Sequence, residues 1–304
     1  MFYQLLQIEL FKIFKRPRTF ISFAAITLIV LLVQFALKVN GEDFIQLYTD
    51  SQSDTFEIPF KQITNGYFVC VMVLHMILIH VPLLVALIAG DMISGEAGMG
   101  TLRLMAGKPV SRTQIVLAKF AASTVYVLLL LIWMALFALV GSILFFGTGD
   151  LVVFKETGIH QMNAQDVVWR FFAAFVFAAL ALTVIAAMAL LFSSYSENSL
   201  GPIVTTVCVV IVFTIVQQLK VPVFEETVNK WSFTTHMLGW KGFFYVQKYG
   251  EGAIVNGEDA EGITIDGSIE NANALIKSGL ILIGYIAVFL LLTIRNFNKK
   301  DILS

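Results

Sequence analysis

The chain has 304 residues, of which 58% are hydrophobic and only 13% are charged, whereas soluble domains average about 45–50% and about 25%. A formal net charge of −1 argues against a basic nucleic-acid-binding protein. The two cysteines, Cys70 and Cys208, lie in apolar stretches, which argues against a disulfide framework or a cysteine zinc site. The composition therefore indicates an integral membrane protein.

The first 18 residues predict an amphipathic helix that lies along the inner membrane surface. Its apolar residues recur at spacings of three and four: Phe2, Leu6, Leu10, Ile13 and Phe14. Gln4, Lys12 and Lys15 lie on the other side, and Pro17 interrupts the helix before the first span. The alternative is a disordered tail, which would leave the apolar stripe in water.

Six apolar stretches are long enough, or nearly so, to cross the hydrocarbon core as helices, which takes about 20 residues. They are Thr19–Leu37, Tyr67–Gly90, Phe120–Phe146, Phe171–Phe192, Leu200–Val216 and Ser278–Ile294. None shows the alternating polarity of a barrel strand. The sequence therefore predicts an all-α integral membrane protein with six transmembrane helices, whose two termini lie on the same side.

The distribution of lysine and arginine orients these spans. The side with the termini comprises residues 1–18, 91–119, 193–199 and 295–304, and carries 11 of the 20 basic residues in 64 positions. The opposite side has the other 9 in 114 positions. Because basic loops are retained in the cytoplasm, we expect a multi-pass protein of a bacterial plasma (inner) membrane with both termini cytoplasmic.

The most informative segment is the cytoplasmic loop 91–119, between spans two and three. Four glycines and Pro109 divide it into short pieces, and Ser111 is placed to cap the helix that leads into span three. Residues 106–109, Ala-Gly-Lys-Pro, superficially resemble the end of a phosphate-binding loop. However, Leu102 stands where the first glycine is required, and Pro109 replaces the hydroxyl residue. The chain is therefore not expected to bind ATP itself.

Three segments together resemble the type-2 ABC transporter permeases. The pattern Glu96…Gly100-Thr-Leu-Arg-Leu104…Lys108-Pro-Val-Ser-Arg112…Lys119 is similar to their first cytoplasmic loop. The opening Leu10-Phe-Lys-Ile-Phe-Lys-Arg-Pro-Arg18 is similar to their amphipathic elbow helix, and Arg295-Asn-Phe-Asn-Lys-Lys-Asp301 to their basic tail. With six spans, the resemblance covers essentially the whole chain.

The resemblance implies a single permease domain over residues 1–304, with an elbow helix at 1–18, a coupling loop at 91–119 and an extracytoplasmic loop at 217–277. The implied partners are two copies of a cytosolic ABC ATPase subunit, which would hold ATP and Mg²⁺, a second permease subunit and membrane lipids, but no nucleic acid. By the same resemblance, five residues would form or flank the ATPase contact: Glu96, Gly100, Thr101, Leu102 and Arg103. From the residues alone, a loop whose bases only set the topology is an equal alternative.

Polar residues within the spans are the remaining candidates for function, because they are costly in lipid. His75 and His80 in span two suggest an intramembrane polar site, with interhelical hydrogen bonds as their expected role. Their spacing of five residues argues against a metal clamp. Gln34, Ser123 and Thr124 are also expected to tie helices together or to face a cavity. We find no catalytic or metal-binding motif in the sequence.

Aromatic residues cluster in the outer loop 217–277: Trp231, Phe233, Trp240, Phe243, Phe244 and Tyr245. Such a cluster favours the headgroup zone of the membrane, and a substrate lid is the alternative. Further along this loop, the pattern Ile263-Thr-Ile-Asp-Gly267 is consistent with a β-hairpin.

These observations predict a non-catalytic transmembrane subunit of an ATP-driven ABC exporter that binds no cofactor itself. One alternative is a membrane scaffold subunit of an envelope-assembly or motility complex. Another is an ion-coupled secondary transporter, which would favour a carboxylate near the bilayer midplane. The predicted span cores contain no aspartate or glutamate, which counts against that last alternative.

Overall fold

The computed structural model describes residues 2–50, 64–78, 80–101, 110–155, 158–219, 221–244, 269 and 271–300. The α-helices are α1 Phe2–Lys15, α2 Pro17–Asp50, α3 Gly66–Ile77, α4 Val81–Ala89, α5 Ser94–Gly98, α6 Arg112–Ala135, α7 Gly141–Phe146, α8 Ala164–Tyr195, α9 Leu200–Gln218, α10 Phe233–Met237 and α11 Ala272–Lys299. A π-helical turn, Leu136–Val140, joins α6 to α7. A second π-helix, Phe224–Asn229, and a 3₁₀ helix, Leu238–Phe244, lie between α9 and α11.

Six helical segments among the described residues are long and apolar enough to cross a membrane, so the predicted all-α membrane fold is confirmed. They are Pro17–Gly41, Val81–Gly98, Arg112–Phe146, Ala164–Tyr195, Leu200–Gln218 and Ala272–Lys299. Apart from the second, each agrees with a predicted span but extends beyond it, because polar residues continue the helices past the hydrocarbon. α1 is also helical, whereas its position at the membrane surface remains a prediction.

The second predicted span, Tyr67–Gly90, is not one continuous helix. α3 ends at Ile77 and α4 begins at Val81, with turns at Leu78 and His80. Pro82 occupies the first turn of α4, where a proline is tolerated because its missing N–H would have no helical partner. Proline therefore starts a new helix here.

The centre of the fold is α8, which contacts α4, α6, α9, α11 and the 3₁₀ helix. Every residue from Ala181 to Leu191 is buried, as expected for a helix that is apolar on all sides. Four of these eleven residues are alanine, and small side chains let neighbouring helix backbones approach closely. α8 is thus the element around which the second, third, fifth and sixth spans pack.

Gln34 joins α2 to the π-turn between α6 and α7. Its Nε2 donates to the Phe137 carbonyl at 3.0 Å and to Ser142 Oγ at 3.0 Å. Its predicted role in tying helices together is confirmed. Ser123 and Thr124, by contrast, both donate to the Phe120 carbonyl of their own helix. The hydrogen bonds that the structure shows for these two hydroxyls are therefore within one helix and not between helices.

A hairpin and a buried arginine organise the end of the bundle opposite α5. Strands β1 Leu151–Lys155 and β2 Gly158–Met162 pair antiparallel, and the sequence analysis did not predict them. Arg170 on α8 is fully buried. It donates to Asp166 at 2.7 and 2.8 Å and to the Phe243 carbonyl at 2.9 Å, which fastens the 3₁₀ helix to α8.

The outer aromatic residues pack mainly into the bundle rather than around its rim. Phe233, Trp240 and Phe244 are buried, and the rings of Phe244 and Phe171 are 4.9 Å apart. Of the predicted cluster, Trp231 is exposed. Tyr245 and the predicted hairpin at 263–267 lie outside the described residues. Because these rings fill space between helices, they belong to the core at this end.

Candidate functional site: a buried ionic cluster

The short helix α5 lies at the end of the bundle where α1, the start of α6 and the end of α8 meet. It follows a turn in which Ser94 Oγ donates to the Gly90 carbonyl at 2.8 Å. The backbone N–H groups of Ile93 and Ser94 donate to Ser193 Oγ at 3.1 and 2.9 Å. Because the first N–H groups of a helix lack helical partners, Ser193 caps α5 from the adjacent span.

Four charged residues from three elements form what we call the ionic cluster: Glu9 and Lys12 on α1, Glu96 on α5 and Lys119 on α6. Lys119 Nζ lies 2.9 Å from Glu9 Oε2 and 2.7 Å from Glu96 Oε2. Lys12 Nζ lies 2.8 Å from Glu9 Oε1 and 2.7 Å from Glu96 Oε1. Each carboxylate therefore bridges both ammonium groups.

The ionic cluster is balanced in charge, and all of it is buried except Lys12, whose side chain is 32% exposed. The Lys119 side chain is 0% exposed, and those of Glu9 and Glu96 are only 3% and 4% exposed. Burial alone lowers the pKa of Lys12, but the adjacent Glu9 and Glu96 outweigh burial and raise the pKa above its ordinary value. Two lysines and two glutamates compensate each other, which allows charge to persist inside the fold.

A second set of ion pairs links the same elements. Asp91, which is 2% exposed, accepts a hydrogen bond from Arg16 at the junction of α1 and α2. Arg18 Nη1 lies 3.3 Å from the same carboxylate. The residues before and within α5 are thus attached by charge to both α1 and α2, and a displacement of α5 would pull on both helices.

The residues expected to contact an ATPase lie in and after α5. Glu96 is a member of the ionic cluster, and Thr101 Oγ1 donates to its carbonyl at 3.3 Å. Gly100 has a φ of +70°, a conformation that favours glycine, and it ends the turn after α5. Leu102 and Arg103 lie outside the described residues. The structure therefore brings Glu96 and Thr101 together at the edge of the ionic cluster.

The two histidines expected to form an intramembrane site bond to their own helix segments. His75 Nδ1 lies 3.2 Å from the Val71 carbonyl oxygen, and His80 Nδ1 lies 2.8 Å from that of Met76. The His75 ring also packs against Trp240 at 5.1 Å, whereas His80 is exposed. Among the described residues, no contact joins the two histidines, and the predicted interhelical hydrogen bonds are not found.

Sequence analysis missed Glu9, Asp91 and Lys119 as site residues. Lys119 entered that analysis as the last residue of the loop pattern and Lys12 as a polar residue of the predicted elbow helix, and Glu9 was not considered. The available signal was the spacing of Glu9 and Lys12, which places opposite charges on one helical face. Their pairing with α5 and α6 depends on contacts 84 to 110 residues apart, which no local pattern encodes.

A family model described as ABC-2 family transporter protein matches residues 3–302. The chain belongs to this family. A search among curated proteins returned no match. The type-2 ABC permease resemblance is thereby confirmed over nearly the whole chain, and the protein is a multi-pass membrane permease of the ABC-2 family. In this permease, the ionic cluster connects the N-terminal helix to the loop between the second and third spans.

Proposed function

We propose that this ABC-2 permease is the transmembrane subunit of an ATP-driven exporter, and that the ionic cluster transmits movement from a cytosolic ATPase to the spans. Two ATPase subunits would bind ATP and Mg²⁺, and a second permease subunit would complete the transporter. Residues 100–103 would form the ATPase contact, and the buried Glu96 would flank it. The type-2 resemblance supports export as the direction of transport.

The observation that carries this proposal is the attachment of Glu96 to both α1 and α6 through Lys12 and Lys119. Charge-assisted hydrogen bonds are among the stronger and more directional contacts in proteins. A force applied to α5 would therefore reach the N-terminal helix and the third span together. Such a rigid connection is what a coupling element requires, and a loop that only reverses the chain has no need of it.

The test is co-purification of the permease with the ATPases of its own cell in mild detergent, followed by measurement of ATP hydrolysis. The wild type should retain an ABC ATPase and stimulate it. Arg103→Ala and Thr101→Ala should weaken retention or stimulation, because both replace side chains of the proposed contact. Lys299→Ala, at an exposed position on α11, is the matched control and should behave as the wild type.

Glu96→Gln tests whether the ionic cluster transmits movement, separately from whether the loop binds the ATPase. It removes one charge from the ionic cluster and keeps the shape of the side chain, so the ATPase should still bind while its stimulation falls. Thermal unfolding of each variant identifies those that have lost the fold. Failure of any ABC ATPase to associate with the wild type would contradict the proposal, as would ion-driven transport that continues without ATP.

A further inference from the structure

Arg112, the first residue of α6, binds the C-terminal end of α11. Its Nη1 lies 3.3 Å from the carbonyl oxygen of Phe297, 3.0 Å from that of Asn298 and 2.7 Å from that of Lys300. The last carbonyl groups of a helix have no helical partners, and a cation there also stabilises the negative end of the helix dipole. Arg112 thus caps the C-terminal end of α11.

Arg112 is also rigidly attached to α6. Ser111 Oγ accepts the Gln114 N–H at 3.2 Å, and Gln114 Oε1 accepts the Ser111 N–H at 3.4 Å, which forms a capping box. The residues just before it belong to the coupling loop. A displacement of that loop therefore moves the Arg112 backbone with the first turn of α6.

A parallel contact reaches α11 from the inner end of α8. Asn296 Nδ2 donates to Ser194 Oγ at 2.8 Å, and the neighbouring Ser193 caps α5. Phe297 is 1% exposed between these contacts. The inner end of α11 is therefore held by two side chains. Arg112 follows the coupling loop, and Ser194 lies next to the residue that caps α5.

Elsewhere one face of α11 packs on α8, α6 and α10, while most of its side chains stay outside the core. Of its described side chains only Leu282, Thr293 and Phe297 are buried. Near its outer end, Tyr285 Oη donates to the Trp231 carbonyl at 2.8 Å, and Ser278 contacts His236. A displacement of the fastened inner end would therefore move α11 along the face that it shares with α8.

We propose that Arg112 is a positioning residue that carries movement of the coupling loop directly into the last span, α11. This inference rests on the proposed function, since it requires an ATPase that displaces the loop. Movement of the loop would then reach the spans by a second route, from α6 to α11, in addition to the ionic cluster.

The experiment is hydrogen–deuterium exchange on the full transporter, permease with its ATPase, with and without ATP and with a hydrolysis-deficient ATPase variant. Peptides covering residues 91–110 report on the coupling loop, and peptides covering residues 285–300 report on α11. In the wild type both should respond to ATP. In Arg112→Ala the loop peptides should still respond, while the response of the α11 peptides should fall by more than half.

Arg112→Lys should restore the α11 response, because an ammonium group also donates to several carbonyls. Lys299→Ala, which removes a base from the same helix end, should behave as the wild type. Arg112→Gln replaces the alanine variant if the latter does not assemble. An unchanged α11 response in Arg112→Ala or Arg112→Gln would overturn this inference and leave the proposed function intact. Absence of any ATP response in the wild-type loop would overturn both.

Discussion

Lys119 shows how this permease keeps a charge inside its fold. The ammonium group has no exposed surface, and carboxylates from α1 and α5 lie within 2.9 Å of it. Placing an unpaired ammonium in such surroundings would cost several kcal/mol. Each carboxylate is therefore needed by both lysines, and the loss of one affects the whole cluster.

We expect Glu96→Gln to lower the free energy of unfolding by about 3 kcal/mol, the lower end of the cost of breaking a buried pair, because Glu9 remains beside Lys119. The measurement is the unfolding midpoint in detergent. Glu197→Gln is the control, since its carboxylate is 80% exposed and lies 3.9 Å from Lys300. It should change stability by less than about 1 kcal/mol. Equal losses in the two variants would contradict the assignment of a buried network.

His236 makes stability depend on pH at the outer end. Its Nε2 lies 3.1 Å from the Lys230 carbonyl oxygen and its Nδ1 lies 3.0 Å from Ser278 Oγ. Since a carbonyl only accepts, Nε2 carries the proton and Nδ1 accepts from Ser278. Burial, aided by the positive charge of Lys277, lowers the pKa of His236 below its ordinary value.

A lowered pKa in the folded state means that protonation favours the unfolded state. Stability should therefore be independent of His236 above the unfolded pKa of about 6.5 and should decrease as the pH falls below it. Unfolding midpoints recorded between pH 7.5 and 5 check this. His236→Gln, which can make both hydrogen bonds without titrating, should flatten the dependence over that range. An identical slope in the variant would show that another group is responsible.

At the scale of elements, α3 and α7 approach so closely that only glycine fits between them. The N–H of Gly66 donates to the Gly147 carbonyl at 2.9 Å. A Cβ added at Gly66 would lie 2.6 Å from Ile143 Cα and 2.7 Å from the Gly147 carbonyl oxygen. Both of these are backbone atoms, which cannot rotate away as a side chain can.

Gly66→Ala should accordingly destabilise the protein by about 1–3 kcal/mol, the usual cost of overpacking. Gly284→Ala is the matched control on α11, where an added Cβ would meet nothing within 4 Å. It should be neutral or stabilising by up to about 1 kcal/mol, because alanine favours a helix more than glycine does. Unfolding midpoints of the two variants give the comparison, and a stable Gly66→Ala would mean that the two segments can separate.

At the scale of the whole molecule, the ends of α1, α5, α6, α8 and α11 gather on one side, together with most of the contacts made by basic residues. This arrangement fits the orientation expected from the positive-inside rule. Loop residues on the two sides can test it, because an impermeant thiol reagent reaches only the outside of an intact cell.

In a Cys70→Ser, Cys208→Ser background, Val223→Cys should be labelled in intact cells, whereas Glu197→Cys should be labelled only after permeabilisation. Both positions are well exposed, at 67% for Val223 and 80% for the Glu197 side chain. Labelling therefore depends on whether the residue lies on the side of the membrane that the reagent can reach. The reverse pattern would place the termini outside and exclude a cytosolic ATPase at α5.

Local patterns in the sequence were sufficient for much of this protein. The apolar runs predicted five of the six spans closely and Ser111 marked the start of α6, because each depends on neighbouring residues and on the length of the hydrocarbon core. The loop around Glu96 was recognised for the same reason. Only the tertiary structure decided that Glu9 and Lys119 meet there, that Arg112 binds α11, and that Phe233, Trp240 and Phe244 are buried. These contacts join residues far apart in the chain, and burial and charge pairing that arise only when helices pack together determine which of them form.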